Sequence, residues 1–222
     1  MAGRCMSASV PPSSTSGWRC GPAVGAEGAD LVLAEGALRD GVLSLTRTAD
    51  KRLRRDAGYQ VELARWTTPG GIGRQDGVPR QAFGPRAKDG ALPLRDLGLG
   101  LGAPATSVEF EPEPTIVLLL SVGDEPADWL RVGAALQRVW LTATVRGLAA
   151  TPLTQITEIP ELRELLADTA TDRVVQSVLR IGYPTVKTAA TPRRGLDDVI
   201  VGGGAVGGAA GRRERIDGGV GQ

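Results

Sequence analysis

The chain has 222 residues, 26 basic against 25 acidic, and no histidine. That length holds one domain with a real core. The charge balance gives no pull toward nucleic acid or an anionic membrane. The lack of histidine removes Ser-His-Asp and Cys-His catalysis and histidine metal sites together. Cys5 and Cys20 form no CxxC pair and sit in low-complexity sequence, so neither a metal site nor a disulfide framework is expected. No apolar run reaches membrane-spanning length, and the first thirty residues lack the apolar core of a signal peptide. The expectation is a cytoplasmic protein.

Residues 1–28 are rich in Ser, Pro, Gly and Ala and read as a disordered leader. From Ala29 to Arg55 the pattern reads as helical, with Leu38, Val42 and Leu45 on one face and Ala49 and Leu53 continuing it. Lys51, Arg52, Arg54 and Arg55 cluster near its end, where cations complement the helix dipole. A phosphate or nucleic-acid patch is the functional reading of the same cluster, and a solvated helix end the plainer one. Asp56 is placed to cap a second helix, Ala57 to Trp66, with Tyr59, Leu63 and Trp66 inward. Residues 67–113 are loop-rich and too long for an ordinary connection, which suggests a lid, a binding loop or an interaction arm.

The clearest stretch follows. Thr115 to Val122 is a continuous apolar run of strand length, the pattern of a strand covered on both faces. Residues 126–147 predict a long helix, with Asp124 as cap and Pro126 in the first turn. Trp129, Val132, Leu136, Val139, Trp140 and Ala143 recur at helical spacing, and Leu130, Ala134, Leu141 and Val145 make the flanks apolar as well. Only a narrow polar stripe is left, so this helix is expected to be central and packed on several sides. Gly147 suits the left-handed helix stop, with Leu148 folding back. A turn containing Pro152, a short helix and a strand, Val175 to Tyr183, complete an α+β core.

Near the end, Arg193 and Arg194 place two guanidinium groups side by side, a geometry suited to phosphate although common on plain surfaces. Residues 199–207 imitate the opening of a dinucleotide-binding unit. Too few residues follow for the helix and second strand that motif needs, and residues 202–222 read as a flexible Gly-rich tail.

Several blocks taken in order carry a family resemblance: GYQVELARWTTP at 58–69, DGVP at 76–79, LPLRD at 92–96, the span 115–155, VLRIGYP at 178–184 and TPRRGLDDVI at 191–200. Together they resemble the FMN-binding nitroreductase superfamily, most of all its actinobacterial Acg-type branch. The resemblance covers residues 29–201 and implies a nitroreductase-like α+β fold that dimerises through long helices and binds FMN at the interface. It implies that Pro152, Leu153, Thr154 and Gln155 lie against the flavin ring, chiefly through backbone groups. It also implies that Arg193 and Arg194 help to hold the FMN phosphate. The implied chemistry passes electrons from NAD(P)H through FMN to a nitro compound or quinone, and needs no catalytic side chain and no metal. The arginine-rich segment with which family members begin has no counterpart upstream of Ala29, so the expectation is a domain lacking its N-terminal part. Two other readings stay open: a flavin- or partner-binding protein without turnover, and a truncated remnant.

Overall fold

The computed structural model describes residues 28–67, 76–79, 82–88, 92–98, 107–167, 173–184, 194–196 and 199–200. Residues 1–27 of the expected leader, the glycine-rich tail, Cys5, Cys20 and Arg193 lie outside these residues. The fold is α+β. Four strands form one antiparallel sheet: β1 (Ala29–Ala34), β4 (Thr115–Ser121), β6 (Val174–Gly182) and β5 (Ala149–Pro152), in the spatial order β1-β4-β6-β5. Two short strands, β2 (Arg86–Ala87) and β3 (Ser107–Val108), pair in parallel beside it.

The continuous apolar run becomes β4, and both of its faces are covered. Ile116, Leu118 and Leu120 point into one apolar cluster, Val117 and Leu119 into the other. Alternating side chains on a pleated strand place them so. The first cluster is roofed by α1 (Gly36–Leu53), by the loop around Leu92 and by a 3-10 turn, Thr154–Ile156. The second is roofed by α3 (Pro126–Val145), whose Val132, Ala135, Val139 and Ala143 face Leu179 and Ile181. The sheet is thus the middle of three layers.

A bulge keeps the two clusters in phase. Leu119 pairs with Ser177 and Leu120 with Val175, so Gln176 is the extra residue on β6. It allows Val175 and Val178, three positions apart, to share one face. The Gln176 side-chain Nε2 donates to Ser121 Oγ at 2.8 Å and to Asp124 Oδ1 at 2.9 Å. Arg163 of α4 (Pro160–Glu164) closes this knot with two bonds to Asp124, at 2.8 and 2.9 Å, and one to the Val175 carbonyl at 2.8 Å.

Five sequence expectations change. Residues 29–34 are a strand, not the first turns of a helix: they add to β4 from Ala29↔Ser121 to Ala34↔Ile116. Residues 149–152 form edge strand β5, where Pro152 is tolerated because an edge needs fewer N–H donors. The long helix is capped by Glu125 and Asp128 in a reciprocal capping box, while Asp124 serves Arg163 and the Trp129 indole instead. That helix is also buried along one side only. Trp129, Leu130, Leu141 and Val145 are exposed, Val145 at 88%, because the sheet offers α3 a single face to cover. Leu38 and Trp66, expected to face inward, are exposed too.

The stop signals hold. Gly147 has φ +68, and the N–H groups of Gly147 and Leu148 bond the carbonyls of Thr144 and Ala143. Asp56 Oδ1 accepts the Tyr59 N–H at 2.6 Å and starts α2 (Ala57–Thr67). The DGVP block packs back on that helix: Val78 N–H bonds the Trp66 carbonyl at 2.8 Å. A Cβ on Gly77 would stand 2.5 Å from that same oxygen, so only glycine fits.

Candidate functional site

The turn that leaves β5 is built largely from buried groups. Leu153 and Gln155 are 0% exposed, Thr154 is half-buried, and Pro152 is exposed. The Leu153 N–H bonds the Val178 carbonyl, which extends the β5–β6 pairing by one residue. Beyond it the chain tightens into the 3-10 turn, whose first N–H groups have no partner within the turn. Among the described residues, no hydrogen bond uses the main-chain N–H of Thr154 or Gln155. The Gln155 side chain donates to the Pro93 carbonyl at 3.1 Å, and its buried Oε1 accepts nothing. Two idle main-chain donors and one idle acceptor therefore share a single turn.

The LPLRD loop lies against that turn. Arg95 reaches Thr154 Oγ1 at 3.1 Å, Tyr59 Oη at 3.1 Å and the Glu158 carboxylate. Its guanidinium also stands over the Tyr59 ring, 5.6 Å from the centroid. Thr154 Oγ1 donates onward to Glu158 at 2.9 Å. Burial works to lower the Arg95 pKa, but Glu158 and Tyr59 more than offset it and hold the charged form more firmly. One arginine thus joins α2, the 92–96 loop and the turn after β5.

On the other side of the same loop lies a cavity of about 560 Å³. Its walls are the C-terminal half of α1 and residues 84–87 and 92–96. The cavity opens beside the turn without being lined by it. Among the described residues, no group of histidine, cysteine or carboxylate side chains is arranged to hold a metal.

Of the residues singled out in the sequence, Pro152 to Gln155 form one structural unit. Arg194 is exposed and makes no hydrogen bond or ion pair among the described residues, so no contact ties it to the turn. Arg95 and Glu158 were not singled out, and Tyr59 only as an inward-facing residue of its helix. Tyr59 and Arg95 do fall in the GYQVELARWTTP and LPLRD blocks, but a bond between residues 36 apart leaves no local trace.

No family model matches the chain. Among curated proteins it is similar to the "Putative NAD(P)H nitroreductase acg" of Mycobacterium tuberculosis, 34% identical over 150 residues, which is 65% of this chain and 45% of that protein. An uncharacterized protein of the same organism matches at 29% identity over 152 residues, 66% of this chain and 44% of that protein. This similarity supports the resemblance to the nitroreductase superfamily and its Acg-type branch. The chain spans a little under half the length of the curated relatives it matches. Among solved structures, the FMN-dependent nitroreductase NfnB from Mycobacterium smegmatis in complex with NADPH aligns at 14% identity and a TM-score of 0.48, over 89% of this chain and 92% of that one. A nitroreductase-like family protein from Bacillus cereus aligns at 14% identity and a TM-score of 0.41, over 79% and 75%.

Proposed function

We propose that residues 29–201 act as one nitroreductase-like unit that contributes a flavin-contacting turn, Pro152 to Gln155, to an FMN-dependent oxidoreductase. The observation that carries this reading is the idle polar set of that turn: the N–H groups of Thr154 and Gln155 and the Oε1 of Gln155. The polar edge of a flavin presents carbonyl and ring-nitrogen acceptors beside one N–H donor. Two donors and one acceptor complement it. When bound, FMN would supply the transfer of electrons from NAD(P)H to a nitro compound or quinone. The chain's own residues would position it. The Thr154 and Gln155 N–H groups would hold the ring edge, Leu153 would anchor the turn in the core, and Arg193 with Arg194 would meet the phosphate. Leu153 and Gln155 are fully covered, so ring contact requires the Pro93–Arg95 loop to yield, breaking the Gln155–Pro93 and Thr154–Arg95 bonds.

The outer face of α3 supports a homodimer as the working state, and the location proposed for it is the cytoplasm. Leu130, Leu141 and Val145 lie along one stripe, flanked by Trp129 and Trp140, all exposed. The same open face favours a second reading, a partner-binding protein without turnover. Among the described residues no helix is long and apolar enough to cross a membrane.

The test is a titration of the purified chain with FMN and with riboflavin, followed by visible absorbance. Bound flavin gives a band near ~450 nm, and reduction by NAD(P)H bleaches it. Arg193→Ala with Arg194→Ala should weaken FMN roughly ten- to a hundredfold per lost contact and leave riboflavin unchanged. Equal losses for both ligands would refute the phosphate assignment. Flavin binding without bleaching would favour the partner-binding reading.

A further inference from the structure

We infer that the cavity lined by α1 and by residues 84–87 and 92–96 is an anion site for a phosphate-bearing small molecule, separate from the flavin turn. Arg47, Lys51 and Arg54 recur at steps of four and three along α1 and line one wall. Arg86 and Arg95 line the facing loop. Five cations thus border a space holding only two carboxylates, Asp50 and Asp96. Asp50 and Asp96 engage Arg54 and Arg86, and Glu158 engages Arg95 from outside the cavity, while Lys51 brings a further positive charge to the rim.

The helix dipole explains cations at the end of α1, but not the arginines brought to the same space from residues 86 and 95. The arrangement is also held in place. Asp96, only 8% exposed at its side chain, bonds Arg86 Nη2 at 2.6 Å and stands 3.6 Å from Arg54 Nη1. Its other oxygen accepts the Gly98 N–H at 3.0 Å. Asp50 takes Arg54 Nε at 2.6 Å. Two carboxylates therefore pin guanidinium groups from both walls, and each planar fork keeps further N–H donors for a ligand. Lys51 is exposed at the rim with no partner among the described residues. At about 560 Å³ the cavity is within the range of small-molecule sites, roughly 300–1,000 Å³. Its charged lining suits a phosphomonoester or diphosphate better than an apolar ligand.

The experiment is calorimetric titration of the full chain, without flavin, using pyrophosphate, ADP and adenosine as probes. Pyrophosphate should bind saturably, more weakly as salt rises. Lys51→Ala and Arg86→Ala should each weaken it about tenfold or more. Arg194→Ala should leave it unchanged, which separates this site from the proposed flavin phosphate contact. Tighter binding of ADP than pyrophosphate would assign a nucleotide, and equal binding the phosphates alone. Adenosine should not bind. Circular dichroism checks that each variant is folded, and Lys51, being exposed, carries the test if Arg86→Ala unfolds. No saturable pyrophosphate binding, or binding indifferent to Lys51→Ala, overturns the site whatever the outcome with FMN.

Discussion

The two faces of the sheet are built by different means. Under α3 the core is a plain apolar seam in which Val132, Ala135, Val139 and Ala143 meet Val117, Leu119, Leu179 and Ile181. Under α1 an equally apolar cluster is crossed by buried polar groups. Arg180 of β6 makes two bonds to Glu111, at 2.7 and 2.6 Å, with both side chains 5% exposed, and its guanidinium stacks on Phe110 at 5.0 Å. Gln155 is buried beside Pro93, and Thr46 bonds back to the Val42 carbonyl at 2.7 Å. Apolar packing tolerates small adjustments, whereas a buried charge pair fixes where a loop lies. The α1 face carries the 92–96 loop, the turn and the cavity, and it is the face held by directional bonds. On the α3 face directional bonds gather at one end, where Ser121, Gln176, Asp124 and Arg163 join at the start of the helix, and the outer side of α3 turns apolar residues to solvent.

The largest expected effect lies on the polar face. Arg180→Ala would leave Glu111 buried without its partner and should cost about 3–5 kcal/mol in urea unfolding at neutral pH. Replacing both, Arg180→Met with Glu111→Leu, should recover most of that loss. A smaller effect is expected across the sheet. Val139→Ala removes two buried methyl-sized groups under α3 and should cost about 2 kcal/mol. Leu141→Ala, on the outer side of the same helix, should stay within about 0.5 kcal/mol in a dilute monomer. If Leu141→Ala destabilises as much as Val139→Ala, and more so at high protein concentration, the outer face is covered by a second copy.

A small effect of a different kind is a pH slope. Arg163 first, then Gln176 and Trp129, hold the Asp124 carboxyl well below its usual range. A carboxyl lowered on folding contributes stability above the unfolded pKa, near 4, and loses it as the pH falls toward the folded value. Asp124 is 43% exposed at its side chain, so after screening this amounts to about 1 kcal/mol or less. Asp124→Asn should flatten the acid limb of the stability curve between pH 4 and pH 2 by that amount. An unchanged limb would mean that the knot at the start of α3 contributes no stability.

Legibility in the sequence follows the same division. Residues 115–121 and the start and stop of α3 were readable because a continuous apolar run, a proline and a left-handed glycine are local signals. The burial of α3 was misread because Leu130, Leu141 and Val145 are as apolar as the side that packs, and composition does not say which face meets the sheet. Strand β1 merged with the helical pattern that follows after a single residue, Glu35. Strand β5, Ala-Ala-Thr-Pro, carries almost none of the branched and aromatic residues that mark strands. Pro152 to Gln155 were found through family resemblance. The Arg95 network escaped, and of the cationic cavity only the α1 side, Lys51 and Arg54, was marked as a phosphate patch, because both join α1, α2, residues 84–87 and 92–96 and the turn, elements set side by side only by tertiary packing.

The most direct test of the flavin turn compares FMN affinity, read by quenching of flavin fluorescence, in the unmodified chain, Thr154→Ala and Thr154→Pro. Alanine keeps the main-chain N–H at position 154, whereas proline deletes it. The expected result is saturable binding to the unmodified chain, a mild loss for alanine and a severe loss for proline, with helix content unchanged throughout. Equal FMN affinity in the two variants, or no saturable quenching by the unmodified chain, would contradict the assignment of Pro152 to Gln155 to a flavin.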